Sequence, residues 1–270
     1  MASVLQGEKV TEKDKAGLVV DNISLAFGGV QAINALSVEI SKPEILGIIG
    51  PNGAGKTCIL NCINGFYRPQ KGHIFWRNEE ITGLPPHRIA RLGIARAFQN
   101  LALYNGLSVV ENLMAARHMK IKQNMVTGAL YFGWARKEEI EHRKRVEEII
   151  DFLEMEAIRY KMVGSLSYGQ RKKVDLGRAL SLEPDLLLLD EPMGGMGTDE
   201  KGDIARYIID IYVYRKIPII IVEHDMRVVM DICDRIVVLD FGNKIAEGKP
   251  KEISTNHQVI AAYLGKGEEK

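Results

Sequence analysis

The sequence has 270 residues, of which 46% are hydrophobic and 26% are charged, and its formal net charge at pH 7 is +1. This length and composition are typical of one large globular domain with a sizeable apolar core. The near-zero net charge excludes a general electrostatic attraction to nucleic acid or to acidic membranes, and leaves only local charged patches to consider.

No stretch of the sequence has the length of a membrane span. The longest apolar runs, such as 186–189 and 217–222, have the length of strands, whereas a span needs about 20 apolar residues. Residues 1–16 are charged where a signal peptide is apolar, so we interpret them as a flexible leader of a cytosolic protein. Cys58 and Cys62 lie one helical turn apart; we interpret them as buried helix-face thiols, with a metal pair as the alternative.

The first part of the chain alternates between strand and helix patterns. Residues 18–40 predict a hairpin-rich β region, and residues 72–82 predict a strand, a turn and a second strand. Between them, residues 44–50 predict a buried strand that leads through a glycine-rich segment into a helix ended by Gly65.

The middle of the chain changes character before strand patterns return. Residues 105–163 have helical apolar spacing and many charges, which predicts an inserted helical subdomain; 123–135 is less regular, as in a loop or a broken helix. Strand patterns follow at 184–192, 217–225 and 235–248. Because helical stretches separate the first two, we predict a parallel sheet with crossover helices.

A phosphate-binding loop is predicted at residues 50–57, GPNGAGKT, which match G-x-x-x-x-G-K-[ST] between a predicted strand and a predicted helix. Glycines let the backbone turn its N–H groups toward phosphates, and the helix N-terminus adds positive potential. Lys56 would reach the β- and γ-phosphates and Thr57 would bind Mg²⁺. The candidate nucleotide-binding residues here are Gly50, Pro51, Asn52, Gly53, Ala54, Gly55, Lys56, Thr57 and Cys58.

Two predicted strands end in ionisable side chains, at the sheet edge where ligands bind. Asp190 is predicted to hold Mg²⁺, and Glu191 is predicted to polarise the attacking water as general base; the alternative is a pair of acids capping the next helix. His224 ends the second strand and is predicted to bind the γ-phosphate and help position Glu191. Gln99, before the helical insert, is a candidate ligand of Mg²⁺ or the water. We interpret the other histidines as surface residues: His73, His87, His118, His142 and His257.

The order of these motifs, with LSYGQ at 166–170 between Gln99 and the acid pair, resembles the ATP-binding subunits of ABC transporters over residues 17–265. LSYGQ is similar to the LSGGQ signature of that family. The resemblance implies an α/β fold, a P-loop NTPase (RecA-like) core with a β-rich N-terminal subdomain and an inserted α-helical subdomain. It implies one ABC ATPase domain, with the core and β subdomain at about 17–100 and 166–265 and the helical subdomain at about 101–165.

Four segments narrow the resemblance: FGGVQAINALS, GIARAFQN, LSVVENLMAARH and VIAAYLG look like ATPase subunits of branched-chain amino acid importers. The resemblance therefore implies ATP hydrolysis that energises such an importer, at the cytoplasmic face of the cell membrane. The alternatives are a related importer for urea, amides or small organic acids, or a soluble non-transport ABC ATPase. The implied partners are a second ATPase subunit, identical or homologous, in a head-to-tail dimer, permease subunits and indirectly a solute-binding protein, without nucleic acid.

The resemblance also assigns residues outside the phosphate loop. Phe27 matches the aromatic position that stacks on adenine, with a core phenylalanine as the alternative, and Val30 packs near the same ring. The signature residues Ser167, Gly169 and Gln170 would cover the ATP of the second subunit.

Three features depart from the family pattern or leave alternatives open. Tyr168 replaces a glycine of the usual signature, and we expect its ring to turn away from the phosphate. Gly197 replaces an Asp or Asn after Glu191, so we expect weaker communication between the two ATP sites unless Thr198 or Asp199 substitutes. The basic residues 171–173 are interpreted as a solvated helix face or as γ-phosphate neighbours rather than a nucleic-acid site.

Overall fold

The computed structural model describes residues 17–97, 101–120 and 134–264. Within them, the strands are β1 (Leu18–Phe27), β2 (Val30–Ile40), β3 (Ile45–Ile49), β4 (Lys71–Trp76), β5 (Glu79–Glu80), β6 (Ile94–Ala97), β7 (Leu186–Asp190), β8 (Ile219–Val222), β9 (Arg235–Asp240) and β10 (Asn243–Gly248). The α-helices are α1 (Lys56–Ile63), α2 (Pro86–Arg91), α3 (Val109–Arg117), α4 (Trp134–Phe152), α5 (Tyr168–Ser181), α6 (Thr198–Arg215), α7 (Met226–Ile232), α8 (Pro250–Ser254) and α9 (His257–Leu264).

The larger sheet has six strands in the order β10-β9-β3-β8-β7-β6. Strands β9, β3, β8, β7 and β6 run parallel, and only β10 pairs antiparallel with its neighbour among the described strands. Every residue of β3, β7 and β8 is buried, which explains their continuous apolar sequences, because strands covered on both faces need no polar alternation. The predicted parallel sheet is confirmed, and the carboxyl ends of β3, β8, β7 and β6 lie side by side.

The smaller sheet has four antiparallel strands in the order β2-β1-β4-β5. Its two long strands pair across the turn at Gly28 and Gly29, both in the left-handed region with φ of 54° and 87°. A cluster of buried apolar residues joins this sheet to α1 and to one face of the larger sheet. The β-rich N-terminal region predicted from the sequence is therefore present. Strand β6 and helix α2 escaped prediction because each is too short to show a periodic pattern.

The regular elements described between β6 and α5 are helices. Helix α3 starts at a capping box in which the Ser108 hydroxyl accepts a hydrogen bond from the Glu111 backbone N–H and the Glu111 carboxylate accepts one from the Ser108 N–H. Helices α3, α4 and α5 share one apolar cluster with the larger sheet. No helix within the described residues is long and apolar enough to cross a membrane.

The prediction that His142 lies on the surface is wrong. It lies on α4, is 8% exposed, and its Nδ1 accepts a hydrogen bond from Nε of Arg117 at 2.9 Å. Arg117 also donates to the Ser181 carbonyl at 3.0 Å, so this pair connects α4 to the end of α5. The mixed polar sequence around His142 gave no sign of burial, because only the packing of three helices creates it.

Candidate active site

The phosphate loop follows β3 and is shaped by three glycines with positive φ. Gly50, Gly53 and Gly55 have φ of 152°, 82° and 99°, conformations that residues with a Cβ rarely adopt. A Cβ on Gly50 or Gly55 would collide with the backbone oxygens of Leu239 and Ala32, whereas a Cβ on Gly53 would meet no atom within 4 Å. The first two glycines therefore allow close backbone packing, and Gly53 faces open space.

Lys56 opens helix α1 inside this loop and is 7% exposed. Its Nζ donates hydrogen bonds to the carbonyls of Gly50 and Pro51 at 2.8 and 3.0 Å. The loop thus curls around an ammonium group, which suits a site for anionic phosphates. Within the same loop, Asn52 is exposed, Ala54 is buried and Cys58 is half-buried.

Thr57 and Asp190 meet, although 133 residues separate them in the chain. The Thr57 hydroxyl donates to Oδ1 of Asp190 at 3.4 Å, and Asp190 is 1% exposed at the end of β7. Oxygen ligands of this kind suit Mg²⁺. The second oxygen of Asp190 accepts a hydrogen bond from Nη2 of Arg96 at 2.6 Å, and Nη1 of Arg96 donates to Asn61 at 2.6 Å. A buried ion pair therefore fixes the carboxylate from the neighbouring strand β6.

Glu191 follows Asp190 in a left-handed backbone conformation with φ of 49°. For a non-glycine residue this conformation costs on the order of 1–3 kcal/mol and persists only where the surroundings hold it. Three hydrogen bonds hold it here: its N–H donates to the Val222 carbonyl at 2.9 Å, and its carbonyl accepts from the Gly194 N–H at 3.2 Å and from Nζ of Lys172 at 2.9 Å. The sharp turn directs the chain away from the sheet directly after Asp190.

His224 lies at the end of the adjacent strand β8, and its side chain is 56% exposed. It follows Glu223, which is 1% exposed and whose two carboxylate oxygens accept hydrogen bonds from the backbone N–H groups of Met193 at 2.9 Å and His224 at 3.2 Å. Burial raises the pKa of Glu223. Glu223 thus joins the end of β8 to the segment that follows Glu191, and brings His224 to the same edge of the sheet as Glu191.

Lys172 contradicts the interpretation of residues 171–173 as a solvated helix face. It is 4% exposed on α5, and burial lowers its pKa, opposed by the charges of Asp175, Glu223, Glu191 and Asp190. Gly169, Lys172 and Leu176 are buried at helical spacing, so the structure places Lys172 on the inner face of α5.

The signature segment forms the N-terminus of α5. The exposed Ser167 caps the helix: its hydroxyl accepts from the Gln170 N–H at 3.2 Å, and its own N–H donates to the Gln170 side-chain oxygen at 3.1 Å. Gly169 is buried, and a Cβ there would collide with the Glu200 carboxylate. The same carboxylate accepts a hydrogen bond from the N–H of Gly197 at 3.2 Å.

Tyr168 is 42% exposed and leans on its own chain. A Cβ on Gly195 would lie 3.1 Å from the Tyr168 ring, and Nζ of Lys172 lies 5.7 Å from the ring centroid. The ring therefore contacts the segment after Glu191, as well as the buried lysine one helical turn further on.

Phe27 and Val30 flank the turn between β1 and β2 and are 45% and 71% exposed. The exposure of Phe27 disfavours the alternative of a core phenylalanine. Its ring packs edge-on against Tyr67, with centroids 5.1 Å apart. Gln99 lies outside the described residues.

The structure therefore brings Lys56, Thr57, Asp190, Glu191 and His224 to adjacent strand ends. Sequence inspection missed three residues that hold this group together: Arg96, Lys172 and Glu223. For Glu223, a charged residue within the apolar strand pattern of 217–225 was the available signal, because a buried charge needs a partner. Arg96 gave no such signal, because β6 is too short to show a pattern.

Comparisons with known proteins show which proteins this chain resembles. The family profile described as ABC transporter matches residues 33–194, and the one described as branched-chain amino acid ATP-binding cassette transporter matches 243–269. The high-affinity branched-chain amino acid transport ATP-binding proteins BraF of Pseudomonas aeruginosa and LivG of Escherichia coli (strain K12) are each 36% identical over 248 residues, 92% of this chain and 97% of theirs. A solved nucleotide-free ATP-binding cassette from an ABC transporter has a TM-score of 0.80 at 30% identity, covering 92% of this chain and 99% of that one.

Proposed function

This chain belongs to the ABC transporter family as an ATP-binding, ATP-hydrolysing subunit, and we propose that it energises an importer of branched-chain amino acids. The observation that carries the assignment of the site is the contact between Thr57 and Asp190 at 3.4 Å, which joins the phosphate loop to the acid-bearing strand. Glu191 follows directly, in a left-handed backbone conformation that hydrogen bonds to Val222, Gly194 and Lys172 hold.

The nucleotide site is proposed to use the residues of the phosphate loop. The N–H groups of residues 50–57 and the Lys56 ammonium would bind the phosphates of ATP, and Thr57 and Asp190 would hold Mg²⁺, with Gln99 as a further ligand. When bound, Mg²⁺ neutralises charge that develops on the phosphates during transfer. Phe27 would stack on adenine with Val30 beside it, and the exposure of both side chains supports this role.

Hydrolysis is proposed to use Glu191 as general base for the attacking water. His224, exposed at the neighbouring strand end, would donate a hydrogen bond to the γ-phosphate and orient the water. The two residues are connected through the backbone, because the Glu191 N–H bonds to the last residue of β8 and His224 follows that strand.

A second ATPase subunit, identical or homologous, is proposed to complete each ATP site in a head-to-tail dimer. The exposed Ser167 hydroxyl, the Gly169 backbone and the start of α5 would cover the γ-phosphate held by the partner, and Gln170 supports Ser167 as a helix cap. ATP then favours the closed dimer, and hydrolysis favours the open dimer. This ligand-driven shift between two states would move the permease subunits. This assembly would lie at the cytoplasmic face of the membrane.

The assignment of branched-chain amino acids as the solute rests on the two similar transport proteins and on the match of residues 243–269. Importers for urea, amides or small organic acids are the alternative. An uptake assay distinguishes the two assignments. Cells that express the chain with the permeases encoded by neighbouring genes are given labelled leucine, isoleucine and valine, and their uptake is compared with that of labelled urea and acetamide. Uptake of urea or acetamide alone would reject the branched-chain assignment.

The catalytic assignment is tested by Glu191→Gln. We expect kcat for ATP hydrolysis to fall by about 10²-fold or more, since a general base contributes ~10²–10⁴. We also expect an ATP-dependent dimer to accumulate on size-exclusion chromatography. The control is Glu154→Gln, an exposed carboxylate paired with Arg206, which should hydrolyse ATP at the normal rate. Full ATPase activity in Glu191→Gln would reject Glu191 as the base.

A further inference from the structure

Lys172 is buried between the signature helix and the segment that carries Glu191. Its Nζ donates to the Glu191 carbonyl at 2.9 Å, and its side chain leaves α5 one turn after the Ser167 cap. We propose that Lys172 is a positioning residue that ties the backbone of the catalytic glutamate to the signature helix of the same chain. This inference rests on the proposed role of Glu191 in hydrolysis.

The hydrogen bond from Lys172 binds the backbone at a residue with a strained conformation. Glu191 is in the left-handed region, and the hydrogen bond to its carbonyl helps to hold the strained backbone from which the carboxylate projects. The Gly194 N–H also donates to this carbonyl, but it belongs to the same turn and moves with it. Lys172 anchors this carbonyl from outside the turn, as Val222 anchors the Glu191 N–H, and a charged donor makes a shorter and stronger hydrogen bond than a neutral one.

Two further contacts make the signature helix and residues 191–197 one unit. The Tyr168 ring lies near both Nζ of Lys172 and Gly195, and the Glu200 carboxylate both packs on Gly169 and accepts a hydrogen bond from the Gly197 N–H. A shift of the first turn of α5 therefore moves both ends of the segment that starts at Glu191. Binding of Ser167 to the partner's ATP thereby aligns the base that acts on this chain's own ATP, which couples the two sites.

This arrangement also gives Tyr168 a role. A glycine at this position would remove the ring that lies beside Gly195 and near Nζ of Lys172.

The test uses the full chain with Lys172→Met, which keeps the length of the side chain and removes the donor, and Lys172→Arg, which restores the charge and donor. The matched control is Lys173→Met, the next lysine on α5, whose Nζ contacts Asp203 at 3.4 Å and Tyr207 at 3.2 Å instead of the 191–197 segment. We expect kcat to fall at least tenfold in Lys172→Met, to recover to within threefold in Lys172→Arg, and to change less than twofold in Lys173→Met.

Measurements of nucleotide binding and of thermal stability separate a positioning role of Lys172 from a role in folding. The Kd of a fluorescent ATP analogue and the thermal midpoint of Lys172→Met should match those of Lys173→Met, and Lys172→Met/Glu191→Gln should still form the ATP-dependent dimer. If Lys172→Met does not fold, Tyr168→Leu tests the same unit, with a smaller loss of kcat and unchanged Kd.

Each alternative outcome is distinct. Normal kcat in Lys172→Met, when Glu191→Gln is inactive, refutes the positioning role and leaves the proposed function standing. An equal loss in Lys172→Met and Lys173→Met, or no recovery in Lys172→Arg, also refutes it. Full activity in Glu191→Gln rejects the underlying catalytic assignment itself.

Discussion

Arg96 offers a direct test of how the Asp190 carboxylate is held. Arg96→Met keeps an unbranched apolar side chain in β6 and removes the guanidinium group. It breaks the 2.6 Å ion pair with Asp190 and the 2.6 Å hydrogen bond to Asn61. The variant therefore leaves one buried carboxylate and one side-chain amide without the charged donor that now satisfies them.

The burial of the pair determines the expected magnitude. The side chains of Arg96 and Asp190 are 4% and 1% exposed, so water cannot replace the lost partner. Removing one member of such a pair destabilises a protein by about 3–5 kcal/mol. The pair of Arg77 and Asp185 is the control, because its side chains are 36% and 43% exposed, and exposed pairs contribute only about 0–1 kcal/mol.

The assay is urea unfolding followed by circular dichroism, without nucleotide, because bound nucleotide would add its own stabilisation. A double-mutant cycle with Arg96→Met and Asp190→Asn isolates the coupling between the two side chains. We expect the double variant to be less destabilised than the sum of the two single variants. The same cycle on Arg77 and Asp185 should give a coupling near zero.

The reasoning fails if Arg96→Met unfolds at the same urea concentration as Arg77→Met. It also fails if the Arg96–Asp190 coupling is no larger than that of the exposed pair. Either result would mean that the guanidinium does not hold the carboxylate in solution, and that Asp190 is positioned by β7 alone.

Three further predictions concern the phosphate loop and the thiols. Gly55→Ala should abolish binding of a fluorescent ATP analogue, because the new Cβ would collide with β2. Gly53→Ala should weaken binding less, because its Cβ would meet open space. Equal Kd values for the two variants would contradict the loop geometry. Burial raises the pKa of Cys62 and Cys233 to about 12, so iodoacetamide at pH 8 should label the half-buried Cys58 first, with protection by ATP, as read by mass spectrometry. Because these folded pKa values exceed the value of about 8.5 for a free thiol, the two protonated thiols stabilise the folded protein fully below that pH, and this stabilisation is lost toward pH 12. A free energy of unfolding that does not fall over this range would contradict the burial of the two thiols.

The sequence by itself determined the elements and the chemistry that depend on local order. The phosphate loop at 50–57, the buried strands before it and before Asp190, and the motif order that led to the ABC transporter family all follow from spacing along the chain. They are readable because glycine turns, buried strands and helix starts are set by neighbouring residues.

Only the tertiary structure decided which charges are buried and what they hold. Arg96 meets Asp190 across 94 residues because β6 and β7 are neighbours in the sheet, and Lys172 reaches Glu191 because α5 packs beside the end of β7. His142 was misread for the same reason, since helices from distant parts of the chain cover it. Such contacts join residues through strand order and helix packing, and no local pattern specifies the partner of a buried charge.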